Sequence, residues 1–358
     1  MKNNITYSII IPCFKTNILF FDECIQSVLK QTYSNFECLI ICSDGSVNAN
    51  NLPDDRRFKL INCETHSVGY KRNLGIKQAQ GDYIVFLDCD DLMHEDYLSF
   101  SNSIIRADEN VDIIYYCVTS KIENFLNNEF SFEKQSVENI KQLFIDKFLC
   151  KDDALLPKWV FSGNPAKVYR KEFILKNNLA IKEDFGLVGE DKIFNLECAL
   201  LKPVAYTSDN CLYFYRINTG SLYRSNHNRD SLNWLSTYLS YSYGILSSEE
   251  CGGKYIDKFT WYYFFYWLPK FFRSGGKKKH IPFKERYNLV KNTLKRKSFL
   301  CKEFKKHSVK NSYNKNKKQK LIFFIGIVLI NLRFLFSLTL LISIYSSLSV
   351  NKLKQTKN

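Results

Sequence analysis

The sequence predicts an α/β fold: a doubly wound, mainly parallel sheet with flanking helices, followed by a helical region that associates with a membrane. Three observations predict it. The apolar runs Tyr7–Ile11, Phe36–Cys42, Phe58–Cys63 and Ile84–Leu87 are long enough for buried strands and too short for helices. Stretches of helical character separate them, the order that specifies parallel strands joined by crossover helices. Polar residues gather just after each run, at the strand ends where such sheets bind ligands.

Taken in order, Pro12 stops the first strand because it cannot donate to a ladder. Asn17 can cap a helix over Ile18–Gln31, with Phe21, Ile25, Val28 and Leu29 as its apolar stripe. The second run ends in Ser43-Asp44-Gly45-Ser46, and the third leads through a turn at Gly69 to a helix from Tyr70 to Ala79, stopped by Gly81. The fourth run ends in Asp88, Asp90 and Asp91, and Asp112–Val118 supplies a further strand. Ser120–Asp153 reads as polar and helical, and Lys158–Lys171 combines Trp159, a Gly-Asn-Pro turn and a strand-like exit. Glu190 and Asp191 open an amphipathic helix carrying Ile193, Phe194, Leu196 and Leu200. Acids there complement the helix dipole, which by itself explains them. Val204–Tyr215 reads as a strand pair leading to Arg216 and Ser221.

Composition bounds the function. With 358 residues, 45% hydrophobic and 15% aromatic, the chain is globular, one large domain or two ordinary ones. Its 12 cysteines are scattered singly, which fits reduced core residues better than disulfides or a zinc knuckle. The net charge of +15 is local: residues 267–320 hold 19 Lys or Arg against 2 acids. Such segregation argues against a protein that coats nucleic acid and for a local anionic partner. Trp261–Phe272 is nearly all apolar and aromatic and precedes Arg273 and Lys277–Lys279, a pairing suited to lipid headgroups. Leu321–Val350 runs for 30 residues with Arg333 as its one charge, so it spans a bilayer or lies in its interface. The lysines upstream place that side at the cytoplasmic face of the cell membrane. The apolar stretch Ile9–Pro12 is too short for a secretory leader. The expected domains are 1–225 catalytic, 226–320 helical and basic, and 321–350 apolar.

Three carboxylates in four positions at a strand end repel one another unless a cation or an arginine sits between them. In an extended segment Asp88 and Asp90 leave on one face and can share Mg²⁺ or Mn²⁺, with a nucleotide diphosphate completing the shell. Pro12 and Phe14 offer a surface on which a base can stack, Asp44 an acceptor for an imide N–H, and Arg72 a donor to a base carbonyl or phosphate. Asp191 stands apart from the triad and is the candidate general base.

The segments SIIIPCF, SVLKQTYSNFE, CSDGS, GYKRNLGIKQAQGDYIVFLDCDD, GEDKIF and YRINTGSLYRS together resemble the family 2 glycosyltransferases of bacterial cell-surface polysaccharides, which have the GT-A fold. The resemblance covers roughly residues 7–225. It implies that Asp44 binds the nucleobase, that Asp88 and Asp90 form the metal motif, and that Asp191 is the base of an inverting transfer. Arg216 and Ser221 would order a segment over the donor. The chain departs from the family at Ser43, where an acid is common, and at Lys71, where a small residue is usual. It lacks the Gln-x-x-Arg-Trp motif of processive enzymes, so transfer of a single sugar is expected. The expected partners are a nucleotide-sugar donor, a lipid-linked or cell-surface glycan acceptor and a membrane surface, with no nucleic acid. Uridine diphosphate is the preferred donor nucleotide, with thymidine and guanosine open. The rivals are a nucleotidyltransferase, for which Cys13-Phe14-Lys15-Thr16 is a poor phosphate loop, and a non-catalytic membrane scaffold.

Overall fold

A computed structural model of the chain describes residues 5–126, 130–149, 156–157, 159–160, 163–183 and 189–217. Beyond these it describes 238, 241–248, 255, 259, 282–293 and scattered positions of 321–342. The chain divides into two compact units, Met1–Phe148 with Asp152–Asn218, and Leu149–Lys151 with Thr219–Asn358.

The first unit opens with strand β1 (Tyr7–Cys13), helix α1 (Ile18–Leu29), β2 (Phe36–Cys42), β3 (Phe58–Asn62), helix α2 (Val68–Gln78) and β4 (Tyr83–Phe86). All seven residues of β1 and of β2 are buried, the pattern of strands covered on both faces. Side chains such as Ile9, Ile10 and Ile11 are fully enclosed, each contributing about 1.5–3 kcal/mol by leaving water. The Asn17 side chain caps α1, accepting from the Leu19 N–H at 3.0 Å as its sequence position predicts. Strands β1, β2, β3 and β4 pair in parallel in the order β3-β2-β1-β4.

The chain continues through β5 (Leu92–Met93), α3 (Tyr97–Ala107), β6 (Ile113–Thr119), α4 (Ile122–Phe125), β7 (Glu133–Gln135) and α5 (Val137–Leu149). Then follow β8 (Lys167–Arg170), α6 (Lys171–Lys176), α7 (Glu190–Leu200) and β9 (Ala205–Phe214). These strands extend the sheet as β4-β8-β6-β9-β5, with β7 on β9.

Three expectations are corrected here. The sheet is mixed: β8 lies antiparallel to both β4 and β6, while β5 and β7 lie antiparallel to β9. Val204–Tyr215 holds a single strand, β9, whose register on β6 shifts between Tyr116 and Val118. Its internal Ser208-Asp209-Asn210 reads as a hairpin turn, but parallel pairing to β6 carries the strand through. The polar stretch after Ser120 also contains the short strand β7.

No disulfide joins the nine cysteines among the described residues, and Cys13, Cys24, Cys38, Cys42, Cys117 and Cys198 are buried. In the second unit the structure describes helix α8 (Phe283–Thr293). Among the described residues no helix is long and apolar enough to cross a membrane. The aromatic run 261–272 and most of the apolar segment 321–350 lie outside those residues.

Candidate active site

The parallel strands end side by side, and their exits carry the first group of candidate residues. Asp44, just beyond β2, accepts from the Lys15 N–H at 2.7 Å and from the Ser46 hydroxyl at 2.7 Å. Partial burial pushes its carboxyl up, but these bonds outweigh it and hold Asp44 at about 2, ionised throughout the neutral range. Phe14 follows β1, half-buried, with the His66 ring 4.3 Å away and the Lys71 ammonium 5.1 Å from its centroid. Pro12 is buried within β1 opposite Ile41, which leaves Phe14 as the ring at the strand exit. Lys71 is fully enclosed and donates to the Cys13 carbonyl at 2.8 Å; burial lowers its pKa.

Strand β4 stops at Phe86, and Asp88–Asp91 form a turn closed by the Asp91 N–H on the Asp88 carbonyl at 3.1 Å. Asp88 and Asp90 are therefore arranged by a turn, and strand alternation, expected above, does not apply. Asp91 faces inward, accepting from the Tyr213 hydroxyl at 2.6 Å and the Arg216 N–H at 2.8 Å. Burial first, and Asp88 second, raise its pKa to about 8. Among the described residues no group of three or more His, Cys, Asp or Glu could hold a metal by itself. Asp88 and Asp90 still suit a hard divalent ion: their donors are all oxygen, and the Asp88 side chain is 33% exposed. Two carboxylates with substrate phosphates are an ordinary Mg²⁺ set.

The guanidinium of Arg72, on α2, spans two carboxylates, with Nη2 on Asp88 Oδ1 at 2.8 Å and Nη1 on Asp191 Oδ1 at 2.7 Å. Only 3% of its side chain is exposed, and its buried Nε has no partner among the described residues. Burial disfavours the charge, but Asp191 and then Asp88 outweigh it and raise the pKa of Arg72. Close packing sets its place: a Cβ on Gly75, one turn along α2, would stand 2.4 Å from the Ile10 side chain. Thus α2 rests directly on β1.

Asp191 lies in the first turn of α7, after Gly189 at φ 79°, a left-handed conformation that favours glycine. Its pKa is raised, first by burial and then by Asp88, against the pull of Arg72. Burial, with Asp191 next, raises the neighbouring Glu190 to about 8. The structure thus brings Asp88 and Asp191 to one guanidinium although 103 positions separate them in the chain.

Arg216 follows β9 and reaches back to the Asp88–Asp91 turn. Its Nε donates to the Asp90 carbonyl at 2.8 Å, its Nη2 pairs with Glu23, and the group lies 4.4 Å from the Phe20 ring. It fastens the Asp88–Asp91 turn to α1, and Ser221 lies outside the described residues. Sequence reasoning missed Asn164, which donates to Asp191 Oδ1 at 2.7 Å, because a Gly-Asn-Pro stretch signals only a turn.

Comparison with known proteins matches this region. Residues 8–173 fit the description "Glycosyl transferase family 2". The chain is 25% identical over 230 residues to Glycosyltransferase GlyA of Streptococcus pneumoniae serotype 4, covering 61% of this chain and 31% of GlyA. It is 26% identical over 229 residues to the poly(ribitol-phosphate) beta-N-acetylglucosaminyltransferase TarP of Staphylococcus aureus, covering 62% of this chain and 64% of TarP. Each match thus spans less than two thirds of the relative's own length. In three dimensions the chain is similar to S. aureus TarS 1-349 in complex with UDP-GlcNAc: TM-score 0.64, 17% identity, 96% of this chain and 92% of that one, a likeness of fold. Residues 8–173, just under half of the chain, thus match the family 2 glycosyltransferases, and the sheet with carboxylates at its strand ends is similar in fold to TarS.

Proposed function

We propose that the protein transfers a single sugar, with inversion, from a nucleotide diphosphate to a hydroxyl of a bacterial lipid-linked or cell-surface glycan. The observation that carries this is the pairing of Asp88 and Asp191 on the Arg72 guanidinium. One carboxylate belongs to the diphosphate side and the other to the acceptor side, and a fixed cation keeps the two anions together at short range.

In this reading Asp44 accepts the N–H of a uracil-type imide, and Phe14 carries the base. Asp88 and Asp90 would hold Mg²⁺ or Mn²⁺, which neutralises charge on the diphosphate when bound. Asp191 takes the proton from the acceptor hydroxyl as that oxygen attacks the anomeric carbon from the face opposite the leaving diphosphate. Its raised pKa favours this role, because a base nearer the working pH receives a proton more readily. Arg216 holds the Asp90 carbonyl and so fixes the turn that carries the donor-side carboxylates. UDP-GlcNAc is the first donor to test, because the neighbouring TarS structure contains it. The basic stretch 267–320 supports an acceptor displayed on an anionic membrane, where each lysine or arginine contributes about 1 kcal/mol.

A screen of the full chain against UDP-, TDP- and GDP-sugars, read as release of free nucleoside diphosphate, tests the reading. Metal-dependent release from at least one donor, abolished by EDTA, is expected. Release of pyrophosphate from a sugar phosphate and a nucleoside triphosphate would identify a nucleotidyltransferase instead.

A further inference from the structure

Asp191 receives two side-chain hydrogen bonds on the same oxygen, and the Asn164 main chain also bonds to its carboxylate. Arg72 Nη1 reaches Oδ1 at 2.7 Å from α2, and Asn164 Nδ2 reaches Oδ1 at 2.7 Å from the turn before β8. The Asn164 side chain is fully buried, and its own oxygen accepts from Asn195 Nδ2 at 3.0 Å. Asn195, one turn along α7 from Asp191, also donates to the Asp191 main-chain carbonyl at 2.8 Å and accepts from the buried Tyr169 hydroxyl at 2.9 Å. Each donor in the series Tyr169, Asn195, Asn164 thus points toward the Asp191 carboxylate, and each amide has its orientation fixed at both ends.

The turn is itself held. The enclosed Lys167 ammonium donates to the carbonyls of Gly163 and of Pro165, the latter at 3.4 Å. Ala166 adopts φ 60°, an uncommon conformation for a residue with a Cβ. A buried lysine and a left-handed alanine are an expensive way to build a turn unless the asparagine at its apex must be fixed.

We propose that Asn164 is a positioning residue for the reaction: with Arg72 it locks Oδ1 of Asp191, so that Oδ2 is the oxygen presented to the acceptor hydroxyl. This rests on Asp191 being the base. A carboxylate whose Oδ1 is held by side chains from two sides cannot rotate freely about its Cβ–Cγ bond, and Oδ2 then meets the acceptor in one orientation. No bond is made or broken at Asn164; the proton passes from the acceptor oxygen to Oδ2 as the sugar–oxygen bond forms and the diphosphate departs. The charged groups around Asp191 are Arg72 on α2, Asp88 after β4, Lys167 on β8 and Glu190 on α7.

The test uses full-length Asn164→Ala and Asn164→Asp, with the nucleotide sugar that the screen above turns over fastest. Asn164→Asp is isosteric and keeps the oxygen that accepts from Asn195, so the face toward Asp191 is what changes, and a melting curve beside each assay checks that both variants are folded. Both variants should lose turnover, about 10-fold for Ala and more for Asp, while UDP affinity stays within about twofold, since a mispositioned base costs one to two decades. The acid limb of the kcat profile should also move to higher pH in both, because a bond that favours the ionised carboxylate is gone. Wild-type turnover in both variants, or turnover and UDP affinity falling together with an unmoved acid limb, would overturn the proposal. Asp191→Asn separates the two levels: if that variant keeps its turnover, the base assignment itself is wrong, whereas an inactive Asp191→Asn beside an active Asn164→Asp defeats only the positioning role.

Discussion

On one side of β4 the strands β1, β2 and β3 run parallel, and their exits carry Phe14, Asp44 and Asp88. On the other side β8 turns antiparallel, and the turn before it, with α7 beyond, carries Asn164 and Asp191. The residues of the parallel side are held singly: Asp44 by Lys15 and Ser46, and the Asp90–Asp91 turn by Arg216 from beyond β9. Those of the antiparallel side are held by a buried relay of amides reaching from Tyr169 to Asp191. Among the described residues Arg72 is the side chain that touches a carboxylate of each. The difference fits a division of labour in which the parallel exits hold the nucleotide and the antiparallel half aims the base, and it can be broken from either side.

The largest expected effect comes from the antiparallel half. Asp191→Asn should cut turnover by about 10³-fold, within the range for loss of a general base, and lower thermal stability as well, because the buried Arg72 loses one of its two carboxylates. Next is the shared residue. Arg72→Met removes the cation between Asp88 and Asp191, so both UDP affinity and turnover should fall, each by about 10-fold or more. Stability should drop by about 2 kcal/mol, less than for a fully buried pair because both carboxylates retain some solvent, as a melting curve would register.

A smaller and one-sided effect is expected at Asp44. Asp44→Ala should weaken UDP binding by about 10-fold, the equivalent of one charge-assisted hydrogen bond, and leave saturated turnover unchanged. The smallest effect is in pH dependence. Asp191 must be unprotonated to accept a proton, and its pKa is raised by burial, so turnover should be lost as pH falls at a point above the ordinary carboxylate range. Asp44 is held at about 2, so UDP affinity should gain no acid limb from Asp44 until far lower pH. If the limbs of binding and turnover coincide, the two halves are not separate in the way described.

The parallel half was largely legible in the sequence. Strands buried on both faces leave unbroken apolar runs such as Tyr7–Ile11 and Phe36–Cys42, and carboxylates at their ends stand out against those runs. The antiparallel half was less so. β8 is four residues long and β5 two, too short for a periodic signal, and β9 passes through Ser208-Asp209-Asn210, which looks like a turn. Arg72 illustrates a different limit. Its place between Asp88 and Asp191 depends on α2 lying against β1 through Gly75 and on α7 arriving from far along the chain, neither of which leaves a local mark. The sequence did pose the right question, since three acids at one strand end require a cation or an arginine, and the structure answers with the Arg72 guanidinium on Asp88, while Asp91 is met by neutral donors, the Tyr213 hydroxyl and the Arg216 main-chain N–H.

Titration of UDP, in buffer containing Mn²⁺, into Asp88→Asn and Asp191→Asn in parallel tests the division of labour most directly. The account predicts that Asp88→Asn weakens the nucleotide by about 10-fold or more while Asp191→Asn stays within about threefold of the unaltered chain. Equal losses in the two variants, or a greater loss in Asp191→Asn, would contradict it.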